Sequence, residues 1–140
     1  MRFMLMVKST PNTEAGVQPS NELLAEMGAF NEQLVRSGIL LAGEGLQPSA
    51  KGARVRMNKG GRRTVVDGPF AETKELIGGF WIVNVKSRQD AIDLALRCPH
   101  PNPGEDAEIE IRQVFEPEDF THASPELIQK ERELRKLAEK

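Results

Sequence analysis

The sequence predicts an α+β fold with a ferredoxin-like βαββαβ core into which a β-hairpin is inserted. Its predicted elements follow the order β-α-β, a hairpin, then β-α-β. Two predicted strands, residues 2–8 and 78–85, are apolar on both faces, as expected for central strands. Both predicted core helices carry one apolar stripe. Without the hairpin, this order is the split βαβ pattern, in which two helices cover one face of an antiparallel sheet.

The first half of the chain predicts a strand, a loop and a long amphipathic helix. Apolar residues occupy both faces of residues 2–8, and the polar stretch 9–19 with its Pro and Gly residues predicts a loop. Ser20 is a suitable N-cap and Gly38 a suitable end for the helix. Gly28, a poor helix former inside it, predicts close packing against a neighbouring backbone. The apolar stripe consists of Leu23, Met27, Phe30 and Leu34.

The remaining elements follow the same patterns. Ser87 caps a second amphipathic helix over residues 88–98, and prolines end it. Asn58 to Gly61 form the hairpin turn, because glycine supplies the positive φ that such turns need. Ser124 and Pro125 begin a charged last helix. An i,i+4 ion pair between Glu131 and Arg135 would add to the stability of this helix. Further strands are predicted at residues 39–46, 53–57, 62–67, 78–85 and 107–116.

Length and composition favour one domain, residues 1–120, followed by a charged helical appendage, residues 121–140. The chain has 140 residues, of which 39% are hydrophobic and 29% charged, as in soluble globular proteins. Its formal net charge of -2 gives no overall attraction to nucleic acid or to an anionic membrane, so we expect neither as a direct partner. The single cysteine, Cys98, suits a reducing compartment, and we expect a cytoplasmic protein.

The two-sided apolar strands also predict a homodimer. Helices cover only one face of a split βαβ sheet, so the second apolar face requires a different cover. A second sheet from an identical chain is the simplest candidate.

The segment from Asp67 to Lys74 carries the first candidate site residues. Asp67 ends a strand before a Pro/Gly turn, where a carboxylate can enter a cavity and transfer protons, or can simply accept N–H groups of the turn. Lys74 near Glu72 can separate the pKa values of neighbouring carboxylates into acid and base roles. The alternative for Glu72 and Lys74 is a solvated loop or a short capping turn.

Three further residues have a functional and a structural interpretation. His100 lies in a Pro-rich loop just past the end of a helix. It is either an acid–base group or an ordinary surface histidine. Arg62, within an arginine-rich hairpin, would steer a small anionic molecule or remain solvated. Trp81 would line a pocket or pack in the sheet. We expect no metal and no cofactor, because no spacing matches a zinc, calcium or nucleotide template.

Residues 65–85, VVDGPFAETKELIGGFWIVNV, followed by CPHP and IEIRQV, resemble the YCII-related family and specifically its DGPF subgroup. The resemblance runs from the first strand to about residue 116. It implies a dimeric α+β barrel of ferredoxin-like protomers and a His/Asp pair near the cleft. His100 and Asp67, and more loosely Glu72, would supply that pair here. Some members are associated with sigma factors, which makes a sigma factor a further candidate partner.

Two functional hypotheses follow, and they leave open whether the chain is an enzyme. The leading one is a cofactor-independent small-molecule enzyme or ligand-binding protein, with Asp67 or Glu72 as base, His100 as acid or base, and Lys74 or Arg62 binding an anion. The alternative is a non-catalytic accessory or regulatory protein linked to transcription initiation through a sigma factor.

Overall fold

The computed structural model describes residues 1–139 and confirms the α+β class. A four-stranded antiparallel sheet has the order β2-β5-β1-β6, and β3 pairs with β4 in a separate two-stranded sheet. The strands are β1 (Arg2–Lys8), β2 (Leu40–Gly45), β3 (Ala53–Met57), β4 (Arg63–Asp67), β5 (Ile77–Asn84) and β6 (Ile109–Gln113).

The three longer helices begin where the sequence predicts their caps. Ser20 Oγ accepts the Leu23 N–H at 3.1 Å, and the serines before the last two helices do the same one turn into each helix. Gly38 has φ +72° just after the long helix, as predicted. The helices are α1 (Pro11–Glu14), α2 (Asn21–Arg36), α3 (Arg88–Arg97) and α4 (Pro125–Ala138).

Two predictions about this region are wrong. Residues 9–19 do not form a simple loop, because Thr10 caps the short helix α1 through a reciprocal pair of hydrogen bonds with Thr13. Gly28 is exposed, and a Cβ added there would meet nothing within 4 Å beyond its own helix. Close backbone packing is therefore not the reason for this glycine.

The core lies between α2, α3 and one face of the sheet. Leu5 and Val83 are almost fully buried at its centre. The ring of Trp81 meets Phe30 edge-on at 5.7 Å between centroids, and Trp81 Nε1–H donates to Asn31 Oδ1 at 2.8 Å. The structure thus places Trp81 in the packed core. The other core members are Phe3, Leu34, Ala91 and Leu94.

The opposite face of the sheet is not covered by the helices, and we call it the open face. The strand register places two rows of side chains across it, with apolar residues on the central strands β5 and β1. Charged residues occupy both positions on β6 and one on β2. The rows are Glu44, Phe80, Met6, Glu110 and Ala42, Ile82, Met4, Arg112.

Ion pairs attach the last helix to the domain. Arg135 on α4 pairs with Glu116 at 3.4 Å and with Glu131 at 3.1 Å, the second being the predicted pair. Arg2 also binds Glu116, at 2.6 Å, which connects α4 to the first strand. Lys140, the end of the predicted appendage, lies outside the described residues. In residues 1–139, no helix combines the length and apolarity that a membrane crossing requires.

Candidate functional site at the loop end of the sheet

Three connecting segments meet at one end of the sheet, where β1 ends and β5 and β6 begin. The Ser9 N–H donates to Leu76 O at 2.9 Å, and the Lys8 N–H donates to Glu108 O at 3.0 Å. The segment after β1 therefore lies between the connection that contains Asp67 and the one that contains His100. We call this region the loop end of the sheet.

Buried polar groups in the segment after β1 connect the three segments of the loop end. Ser9 and Thr10 are buried, and Thr10 is satisfied by its cap with α1. The Asn12 N–H donates to Glu105 Oε1 at 3.2 Å, which ties the His100 connection to α1. Glu105 Oε2 is buried and has no hydrogen-bond partner within residues 1–139.

A contact between Glu14 and Ser49 fixes the DGPF turn. Glu14 accepts both the Ser49 N–H, at 3.0 Å, and the Ser49 hydroxyl. Ser49 Oγ in turn accepts the Phe70 N–H at 3.0 Å. A Cβ on Gly68 would lie 1.9 Å from Ser49 O, so only glycine fits at this point of the turn. The peptide bond between Gly68 and Pro69 is cis.

Asp67 takes no part in this network. It is exposed at the end of β4, opposite Ala53, and among the described residues its carboxylate forms no hydrogen bond or ion pair. The Phe70 N–H of the turn donates to Ser49 Oγ and not to the Asp67 carboxylate. The Asp67 carboxylate is free to meet solvent or a ligand.

Glu72 and Lys74 are also exposed. Glu72 precedes a short 3-10 turn, Thr73–Glu75, but its side chain forms no capping hydrogen bond there, so the turn exists without the predicted cap. Within residues 1–139 no ion pair joins Lys74 to Glu72 or to Glu75. The expected charge pairing between lysine and carboxylate is absent from this turn.

His100 lines a cleft of about 340 Å³ between α3 and β6. Its Nδ1 accepts the Asn102 N–H at 3.0 Å, so the neutral imidazole carries its proton on Nε2. Nε2–H is then the group that remains for a ligand. The walls of the cleft are largely apolar and include Ile92, Ala95, Leu96, Ile109 and Ile111.

Cys98 lines the same cleft but is not suited to nucleophilic chemistry. Burial raises the pKa of its thiol to about 11, so it is protonated at neutral pH. The thiol donates to Pro99 O at 3.2 Å. Besides Cys98, His100 and Glu108 are the ionisable residues that line this cleft, and His100 is the one that the sequence predicts as an acid–base group.

The candidate residues do not form one constellation within a single chain. No hydrogen bond or ion pair within residues 1–139 joins Asp67, Glu72 or His100 to another of them, and the first two do not line the His100 cleft. Arg62 is exposed near the tip of the hairpin, while Arg54 stacks over the Phe70 ring at 3.8 Å. Within residues 1–139, no three His, Cys, Asp or Glu residues are grouped so that they could hold a metal ion.

Sequence reasoning missed Glu14 and Ser49. Glu14 lies 35 positions before Ser49, and Ser49 lies 21 positions before Phe70, so no local pattern connects them. The sequence Thr10-Pro11 followed by Thr13 was the one available signal, because it predicts a cap that orients Glu14.

A second cleft, of about 440 Å³, lies between α4 and the segment after β6. Phe115 and Phe120 stack at 4.9 Å between ring centroids, and both are exposed. Leu127 and Ile128 of α4 complete its apolar lining. Among the exposed large hydrophobic residues of the described chain, Phe115 and Phe120 are the aromatic ones.

Known proteins similar to this chain include one solved structure and one sequence relative. A solved structure of 5-chloro-2-hydroxyhydroquinone dehydrochlorinase from Burkholderia phenoliruptrix AC1100, in complex with 2,5-dihydroxybenzoquinone, has a TM-score of 0.46 and 16% sequence identity; the match covers 82% of this chain and 94% of that one. An uncharacterized protein of Rhizobium meliloti (strain 1021) is 31% identical over 86 residues, covering 61% of this chain and 68% of the relative.

A family model gives the broader relationship. The model of the YCII-related domain matches residues 1–116, which contain the whole sheet and all the candidate site residues. The helix α4 lies beyond the matched region. The chain belongs to the YCII-related domain family.

Proposed function

We propose that this YCII-related protein is a homodimer that binds a small organic molecule in the His100 cleft and performs acid–base chemistry on it without a cofactor. The observation that carries the proposal is the position of His100. Of the predicted acid–base residues, it is the one that lines a cleft with apolar walls.

The geometry of His100 suits an acid–base group. The hydrogen bond from the Asn102 N–H to Nδ1 fixes the ring, and Nε2–H can donate to an oxygen or nitrogen of the ligand. Positioned proton transfer of this kind contributes roughly 10²–10⁴-fold to a reaction rate. The apolar walls favour a ligand with an aromatic or aliphatic body and one polar group.

The remaining site candidates need the dimer. Asp67 and Glu72 as further acid–base groups, and Lys74 and Arg62 as anion-binding groups, act at the cleft only if a second copy brings them there. A small anionic molecule as the ligand rests on those lysine and arginine assignments. Trp81 has no ligand role in this proposal, because its indole N–H is bound to Asn31 in the core.

The dimer of this proposal joins the open faces of two chains in an α+β barrel of ferredoxin-like protomers. The antiparallel order β2-β5-β1-β6 and the apolar centre of the open face support it. The unaltered sequence Asp67-Gly68-Pro69-Phe70 supports membership of the DGPF subgroup. A cytoplasmic location stays a prediction.

A ligand screen by thermal shift tests the proposed site. The probes are aromatic and aliphatic acids, phenols and quinones, and a ligand at 100 times its Kd is expected to stabilise the native state by about 2.7 kcal/mol. Leu96→Trp narrows the cleft from an exposed position, and His100→Ala removes the donor. Both variants are expected to lose the shift, whereas His122→Ala, which changes the other histidine, keeps it. Equal shifts in all four proteins would reject the site.

One observation favours a second candidate function. The exposed apolar cleft at α4, with Phe115 and Phe120 at its edge, is suited to a protein partner. A non-catalytic accessory role with a sigma factor as partner is therefore the alternative. Retention of a purified sigma factor by the wild type, and its loss in Phe115→Asp, would favour this alternative over the enzyme.

A further inference from the structure

The two-stranded sheet β3–β4 projects from the domain as an arm, which we define as residues 53–67. Every residue of its two strands is exposed except Val66, which is half-buried. Isolated two-stranded sheets are marginal in water, and stable ones pack against something else. The arm is nevertheless regularly paired over its whole length, from Ala53 opposite Asp67 to Met57 opposite Arg63.

One face of the arm is apolar at its centre. Val55 and Val65 are cross-strand partners, so their side chains lie together on the same face as Met57. Their exposed fractions are 57%, 69% and 60% for Val55, Val65 and Met57. A contiguous apolar group of this kind, on a segment without its own core, is typical of a surface that another molecule covers.

The solvent-exposed surface of the single chain is large enough to include an extensive interface. The chain exposes 10331 Å². A compact folded monomer of this size is expected to expose about 7,300 Å². The excess of about 3,000 Å² exceeds the roughly 800 Å² that each partner contributes to a standard interface.

Charge favours an occupant with the composition of this chain itself. The arm, residues 53–67, contains five Lys or Arg and one Asp, a formal charge of +4. Because the whole chain has a formal net charge of -2, all the other residues together carry a net charge of -6. The arm of one copy is thus complementary in charge to the body of another.

We propose that the arm docks on a second copy of this chain. Val55, Met57 and Val65 form the apolar centre of the contact, and Arg63, the cross-strand partner of Met57 on the same face, meets an acidic residue of the second copy at its rim. The inference rests on the homodimer of the proposed function and adds to it a contact that the open face alone does not provide. In this contact the exposed Arg62, near the tip of the arm, would lie beside the second protomer.

A basic two-stranded ribbon can also enter a nucleic-acid groove. Two observations favour a second copy over that partner. The exposed centre of the arm is apolar, whereas surfaces that bind nucleic acid are polar and strongly positive, and the net charge of the chain outside the arm is negative.

Light scattering and sedimentation from about 1 to about 100 µM protein test the inference. Val55→Asp/Val65→Asp changes residues that are exposed in the single chain, so the monomer is expected to keep its fold by circular dichroism. We expect this variant to raise the dimer Kd by about 100-fold or more, since buried apolar contacts dominate interface energies. Val35→Asp is the matched control, because Val35 is 61% exposed on α2, and it should leave the Kd unchanged.

Three other outcomes would refute the proposal that the arm docks on a second copy. If the double variant dimerises like the wild type while Ile82→Asp on the open face prevents dimerisation, the arm contact is refuted and the proposed dimer stands. A wild type that is monomeric at every concentration refutes both. A monomeric wild type that binds a labelled DNA duplex, with binding lost in Arg56→Glu/Arg63→Glu, assigns the arm to nucleic acid instead.

Discussion

Replacing Gly68 by alanine is expected to destabilise the fold by about 2–4 kcal/mol. A Cβ at this position would lie 1.9 Å from Ser49 O and 2.7 Å from Ser49 C, far inside contact distance. Ser49 has no freedom to retreat, since Glu14 accepts its N–H and its hydroxyl. Moving it by about 1 Å or more would also weaken the hydrogen bond from the Phe70 N–H, and each such bond contributes about 1 kcal/mol.

Urea denaturation followed by circular dichroism, at a fixed protein concentration, measures this loss. Equal m-values in wild type and variant would show that the change in midpoint reports stability. Gly28→Ala is the matched control, because it is an exposed helix position where a Cβ meets no other part of the chain. It should stabilise by about 1 kcal/mol. A Gly68→Ala loss below about 1 kcal/mol would refute the view that the Glu14–Ser49 contact fixes the DGPF turn.

Three further outcomes are expected. The Arg2 hydrogen bond holds the pKa of Glu116 below its ordinary value, so its contribution is present above about pH 4.3 and is lost as pH falls through the lower folded pKa. In urea titrations, wild type should therefore lose more stability than Glu116→Gln between neutral and acid pH, and equal losses would argue against the pair. Cys98, with a pKa of about 11, should react with iodoacetamide at neutral pH more slowly than a free thiol, and a rate equal to that of glutathione would show that its thiol is accessible and has the pKa of a free thiol. Trp81→Phe leaves Asn31 without its donor and should cost about 1–3 kcal/mol in the same urea assay, more than in an Asn31→Ala background, whereas equal costs would show that the bond contributes nothing.

The elements that the sequence predicts well are those whose signals are local. Ser20, Ser87 and Ser124 each lie directly before a helix, and each cap bond is formed within one turn. Because successive side chains of a strand point to opposite faces, the sequence also places Phe80 and Trp81 on opposite faces of β5. Which of the two faces the helices cover depends on packing between distant residues, and that is why Trp81 had both a pocket and a core interpretation.

The site is less predictable because it depends on contacts between distant segments. The turn at Asp67 is fixed by Ser49 and Glu14, neither of which carries a local pattern that points to this turn. His100 gains its cleft only when α3 and β6 pack on either side of its loop. The sequence predicted which residues could take part, but the structure separates Asp67 and Glu72 from the cleft that His100 lines.

Chemical-shift mapping by two-dimensional NMR, with hits from the acid, phenol and quinone screen, tests the proposed binding site most directly. The largest shifts are expected at backbone amides of residues lining the His100 cleft, between Ile92 and Ile111, and Leu96→Trp should abolish them. Shifts that map to the open face or to the arm, and persist in Leu96→Trp, would contradict the proposal that the His100 cleft is the binding site.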